Sequence, residues 1–144
     1  MRSVRVSAAV IRDGDKILAA ERGYGEYRGF WEFPGGKREE GESGEDAIIR
    51  EIKEELGVTI ETDGFIATIE HDYPDFHLIM DCYYAHVVEG AIKANEHMAL
   101  RWISVDEIES LEWLPADWKV LPFVREKAMH LEDSELNSEH IQKR

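Results

Sequence analysis

The stretch "GGKREEGESGEDAIIREIKEELGV", Gly35 to Val58, decides how this chain folds. Ile48, Ile52 and Leu56 recur four apart and Ile49 widens the stripe, which marks one face of a helix as apolar. Ser43 stands where an N-cap belongs and Gly57 where a left-handed C-cap belongs, so the helix is set at Ser43 to Leu56. The same helix carries Glu51, Glu54 and Glu55. Side chains three and four apart are neighbours on a helix, and like charges there repel. Unpaired carboxylates at close range raise their own pKa values, and a divalent cation between them removes that cost. Oxygen-only ligands suit Mg²⁺ or Mn²⁺, and Mg²⁺ is commonly shared by a few carboxylates and substrate phosphates. A lone "REIKEEL" reads as a solvated charged face. The "FPGGK" before it changes that reading, because paired glycines let a ligand approach the backbone closely.

Before this stretch, Ser3 to Arg12 and Lys16 to Arg22 read as two strands joined by the turn "DGD". "GYGEYRGF" reads as a loop. After it, Thr59 to His71 and Phe76 to Val88 are strand-like around "YPDF", and "ALRWIS" is a short strand. A helix begins at Ser104 or Asp106 and ends near Leu111, and a last helix covers Trp118 to His130 with Pro122 early in it. Trp102 and Trp113 are assigned to the core, and Tyr73 and Phe76 to core or pocket. Hairpins dominate and regular βαβ alternation is missing, so the class is α+β with a mixed β-sheet. One domain is expected over residues 1–131, followed by a polar tail over 132–144.

With 31 acidic and 17 basic residues, the net charge is −14. That argues against binding a nucleic-acid polymer, which needs basic patches. Small phosphorylated ligands remain open, because bound metal ions invert the local electrostatics. The single cysteine, Cys82, lies in an apolar run and reads as a packed thiol. No stretch is long and apolar enough to span a bilayer, and the N-terminus lacks the pattern of a signal peptide, so a cytoplasmic protein is expected. Monomer and homodimer both stay open.

The segment Gly36 to Val58 resembles the Nudix box: Gly36, five residues, Glu42, seven residues, Arg50-Glu51-Ile52, then Glu54-Glu55, then Gly57-Val58. The resemblance implies the Nudix α/β/α sandwich and Mg²⁺-dependent hydrolysis of a nucleoside diphosphate linked to another group, with Mn²⁺ as a substitute. It implies that Glu51, Glu54 and Glu55 bind metal, with the Gly35 carbonyl as a further ligand. Arg50 would hold the glutamates, and Glu42 would support the loop and the helix start. "NEHMALRW" resembles the MutT-like element whose glutamate reaches the metal, which points to Glu96, six residues before Trp102. Glu54, Glu55 and Glu96 are the candidate proton acceptors.

Substrate choice rests on residues around the box. Arg22 is either a phosphate contact or a surface ion pair. Phe33 is assigned to stacking, with Gly36 and Lys37 beside it. "EWLPADWKVL" resembles the end of a MutT-type domain, where the residue after "PA" reads the base; here it is Asp117. Asp117 is a helix N-cap, a base contact, or both. A carboxylate only accepts hydrogen bonds, which suits the exocyclic amine of cytosine. The expected activity is a nucleoside triphosphate pyrophosphohydrolase favouring cytidine nucleotides. The alternatives are an 8-oxo-dGTP diphosphatase and a non-catalytic nucleotide-binding module. An EF-hand reading fails because the D-x-D-x-D-G spacing is missing.

Overall fold

A computed structural model describes residues 1–127 of the chain. The elements run β1 (Arg2–Asp13), β2 (Lys16–Arg22), β3 (Trp31–Glu32), β4 (Gly35–Lys37), α1 (Gly44–Leu56), β5 (Thr59–Asp72), β6 (Phe76–Glu89), β7 (His97–Ser104), a 3-10 helix (Val105–Ser110) and α2 (Pro115–Trp118). The sheet is mixed, as expected. β1 pairs parallel with β6 and antiparallel with β4 and β2. Its order is β3-β2-β1-β6-β5, with β7 on β2 and β4 on β1.

The centre of β1 is buried on both faces, which requires cover on both sides of the sheet. On one face Ala9, Ile11 and Leu18 meet Ile48, Ile52 and Leu56 of α1. Full burial of each such side chain contributes roughly 1.5–3 kcal/mol. On the other face Ala8, Val10 and Ile17 meet Ile108, Trp113 and Val120. This is the α/β/α sandwich.

The caps of α1 form as the sequence predicts. Ser43 Oγ accepts the Asp46 N–H at 3.1 Å, and Gly57 closes the helix at φ 72°. The chain end differs. The expected helix at Trp118 to His130 is split into α2, a turn at 119–120 and a helix that restarts at residue 121. Pro122, lacking an N–H, cannot continue a helix from Trp118 but is at home in the first turn of a new one. The rest of that expected helix, and the tail at 132–144, lie outside the described residues. The helix expected between Ser104 and Leu111 is a 3-10 segment. Trp113 is buried at 1 % exposure, whereas Trp102, assigned to the core, is 36 % exposed on the edge strand β7.

Candidate active site

β4 lies antiparallel to β1, with Gly36 opposite Ser7 and Gly35 opposite Ala8. A Cβ on Gly35 would overlap the Ser7 carbonyl oxygen, and one on Gly36 would overlap the Glu51 carboxylate. The two glycines therefore bring backbone and α1 carboxylates to one place. Arg50 ties the intervening loop to the helix. Its Nε and Nη2 donate to Glu42 at 2.7 and 3.0 Å, and Nη2 also donates to the Lys37 carbonyl at 3.0 Å. Its Nη1 donates to Glu51 at 2.9 Å and to both Glu54 oxygens at 3.4 Å. Hydrogen bonds from Arg50, then the Glu39 N–H, hold the Glu42 carboxyl down at about 2. Arg50 and Glu42 are thus the brace that the sequence reading expects.

A cavity of about 460 Å³ opens beside this brace. Gly35, Gly36, Lys37, Glu55 and Glu96 line it together with Arg22, Phe33 and Asp117. Eight of the singled-out residues are therefore brought to one wall. Arg50, Glu51 and Glu54 stand alongside it; Glu54 is exposed and turned to Arg50.

Glu55 is 7 % exposed, and its Oε2 has no hydrogen-bond partner among the described residues. Burial first, then the charges of Glu51, Glu96 and Glu32, pushes its carboxyl up to about 8. Burial also raises Glu51, with Glu54 and Glu96 adding to it. This donor set fits a hard divalent cation: all oxygens, mutually repelling, with one buried carboxylate oxygen unpartnered. No three His, Cys, Asp or Glu side chains are gathered at metal-binding spacing among the described residues. Glu51 and Glu54 face Arg50 instead.

Asp117 is 4 % exposed and is not a helix N-cap: Leu114 holds that position, and Asp117 lies inside α2. Its Oδ2 accepts the Phe33 N–H at 2.8 Å. Parallel bridging of Trp31 with Trp113 brings the two segments together. Burial pushes its carboxyl up to about 8, and Glu32 adds to this. Burial therefore favours the protonated form of Asp117, in which the carboxyl can donate as well as accept; the acceptor-only argument from sequence applies to the ionised form. The Phe33 ring is core: it stacks on Trp113 with centroids 4.5 Å apart, while the residue still lines the cavity. Tyr73 and Phe76, stacked with centroids at 5.2 Å, complete an aromatic portion of the lining.

Arg22 turns out to be both paired and placed in the site. Its guanidinium donates to Glu32 at 3.2 and 3.4 Å and lies over the Tyr24 ring at 4.9 Å, all on the cavity wall. Glu32 is a lining residue that sequence reasoning missed, and His97, which stands out in the sequence only as the neighbour of Glu96, lines the cavity as well. Glu32 lies within "WEFPGGK", next to residues that were singled out, and its carboxylate adjacent to an aromatic-Pro-Gly-Gly run was the available signal.

A NUDIX domain model matches residues 1–124. The chain is 34% identical over 122 residues to the CTP pyrophosphohydrolase of Escherichia coli (strain K12), covering 84% of this chain and 90% of that one. It is 36% identical over 84 residues to the 8-oxo-dGTP diphosphatase of Proteus vulgaris, covering 57% of this chain and 75% of that one. The crystal structure of a MutT NUDIX hydrolase from Burkholderia pseudomallei superposes with a TM-score of 0.78 at 29% identity, covering 86% of this chain and 99% of that one.

Proposed function

The chain belongs to the NUDIX family and is a Nudix hydrolase, and from that premise we propose that it is a Mg²⁺-dependent nucleoside triphosphate pyrophosphohydrolase favouring cytidine nucleotides. The observation that carries the proposal is the buried, unpartnered Glu55 Oε2 in a cavity that also holds Asp117. One water is consumed, one phosphoric anhydride bond breaks, and the products are a nucleoside monophosphate and pyrophosphate.

Glu51, Glu54, Glu55, Glu96 and the Gly35 carbonyl would hold the metal. Bound divalent ions supply charge neutralisation on the phosphates and lower the pKa of water. The chain's own residues do the rest. Arg50 fixes the glutamate array through five hydrogen bonds to its carboxylates, counted over Glu42, Glu51 and Glu54. Arg22 and Lys37 meet phosphate oxygens, where cationic groups stabilise transferring phosphoryl charge. Among Glu54, Glu55 and Glu96, we assign proton acceptance from the attacking water to Glu55, through whichever of its two carboxylate oxygens the metal leaves free.

Base preference is assigned to Asp117. A neutral carboxyl group offers one O–H donor and one carbonyl acceptor. That pair matches N3 and the exocyclic N4 amine of cytosine in a two-point contact. The name of the Escherichia coli relative, a CTP pyrophosphohydrolase, supports this reading. A neutral Asp117 can also meet the N1–H and O6 of an oxidised guanine, and the name of the Proteus vulgaris relative favours that second reading. A panel of CTP, dCTP, a 5-substituted dCTP, UTP, GTP, dGTP and 8-oxo-dGTP, with Mg²⁺ or Mn²⁺ and pyrophosphate as readout, decides between them. The highest kcat/KM on cytidine nucleotides supports the proposal; the highest on 8-oxo-dGTP replaces it with the second reading. Turnover of none, with Mg²⁺ binding by calorimetry, makes the chain a binding module.

A further inference from the structure

Glu96 sits at the end of a segment, residues 91–96, that has no regular structure. A side chain on such a segment holds its place only if its neighbours are tied down. The two residues flanking Glu96 are tied, in opposite directions. On one side, three carbonyls at the C-terminal end of α1 accept from the segment. Lys93 N–H donates to Leu56 O at 2.9 Å, Asn95 N–H to Glu55 O at 3.3 Å, and the Asn95 side-chain Nδ2 to Glu54 O at 3.3 Å. With Gly57 N–H on Lys53 O, these fill all four carbonyls that a helix end leaves open. Two of the three residues so gripped, Glu54 and Glu55, carry carboxylates of the site.

On the other side, the ladder between β2 and β7 slips between Glu21 and Arg22, so that Arg22 pairs with His97 and Met98 becomes the extra residue. Such a bulge re-aims side chains. Met98 is left 52 % exposed, while the His97 side chain is 6 % exposed and lines the cavity. Its Nε2 lies 3.4 Å from Glu32 Oε2, the carboxylate that also holds Arg22. Its Nδ1 is buried without a hydrogen-bond partner among the described residues, so Glu32 is the polar contact that orients the ring.

We propose that Asn95 and His97 are positioning residues that set the reach of Glu96 to the α1 carboxylates, Asn95 by gripping the end of α1 and His97 by docking on Glu32. The inference rests on the reading that Glu96 is a metal ligand. It does not require either residue to touch metal or nucleotide. Removing a group that orients a ligand lowers metal affinity or turnover by about 10- to 100-fold.

The test measures Mn²⁺ affinity by calorimetry, kcat and KM for the full chain carrying Glu96→Ala, Asn95→Ala, His97→Ala or His97→Gln, with unfolding midpoints in EDTA. Glu96→Ala is expected to lower both Mn²⁺ affinity and kcat by about 10-fold or more. Asn95→Ala and His97→Ala are expected to lower both by about 10-fold with KM for the nucleotide within about twofold. His97→Gln keeps a donor toward Glu32 and is expected to recover most of the loss. If Asn95→Ala does not fold, Asn95→Ser replaces it. Losses with Glu96→Ala but wild-type Mn²⁺ affinity and kcat in Asn95→Ala and His97→Ala overturn the inference alone. Wild-type behaviour of Glu96→Ala overturns the underlying reading and the inference with it. Equal damage from His97→Gln and His97→Ala removes His97 from the proposal.

Discussion

Glu55→Gln separates what this side chain costs the fold from what it gives the reaction. The carboxyl stands at about 8 in the folded chain against an ordinary value of 4.5, with burial the first cause. A raised carboxyl binds a proton in the folded state that the unfolded state has released. Stability is therefore full below about pH 4.5 and falls as pH rises toward 8, at up to about 1.4 kcal/mol per pH unit. The whole interval corresponds to a cost of up to about 5 kcal/mol at pH 8. The effective dielectric of a protein interior lies well above that of dry protein, so about half of that, roughly 2–3 kcal/mol, is the expected penalty. Glutamine keeps the shape and polarity of the neutral acid and carries no proton equilibrium. Urea unfolding in EDTA from pH 5 to 8.5 is the assay. Wild type should weaken with pH; Glu55→Gln should weaken less steeply and be the more stable protein at pH 8. A residual slope stays, because Asp117 is also raised to about 8. Mn²⁺ should raise the midpoint of wild type more than that of the variant, and turnover should fall about 10²-fold or more. Parallel slopes for the two proteins, or a variant less stable than wild type at pH 8, would refute the desolvation argument.

Arg50→Met removes every hydrogen bond from the guanidinium to Glu42, Glu51 and Glu54 while keeping the stem; the Glu42 carboxyl, followed by NMR titration, should climb from about 2 toward 4.5 and Mn²⁺ affinity should fall. Gly35→Ala forces a methyl into the Ser7 carbonyl of the central strand, so it should cost about 2 kcal/mol or more in urea unfolding, with Gly41→Ala, whose Cβ meets open space at φ 81°, costing less. A smaller loss at Gly35 than at Gly41 would contradict the close approach of β4 to β1.

Local patterns were readable in the sequence; long-range pairings were not. α1 was legible with both caps because its signals lie within one run of chain: an apolar stripe, Ser43 before it and Gly57 after it. The Arg50 brace was legible for the same reason, since most of its partners are within eight residues. Glu32, Arg22 and His97 meet only because β2 pairs with both β3 and β7, a register that no local pattern specifies. Asp117 shows the limit in another way. As a residue type it predicts a cap and an acceptor, but its place inside α2 leaves the cap position to Leu114, and burial raises its carboxyl although the Phe33 N–H works the other way. Trp102 was misplaced because a β-strand on an edge can leave a large aromatic on its solvent face, and alternation alone does not say which face is covered.

The parallel pairing of β1 with β6 joins Val6 to Met80 and Ile11 to Ala85 across more than half of the chain. Closing a loop of that size must precede any reward from the contacts it makes. During synthesis the first strand therefore lacks its parallel neighbour until the sixth has emerged. An N-terminal fragment ending before residue 76 holds the whole glutamate helix yet lacks its central partner strand, so it should be sticky rather than partly functional.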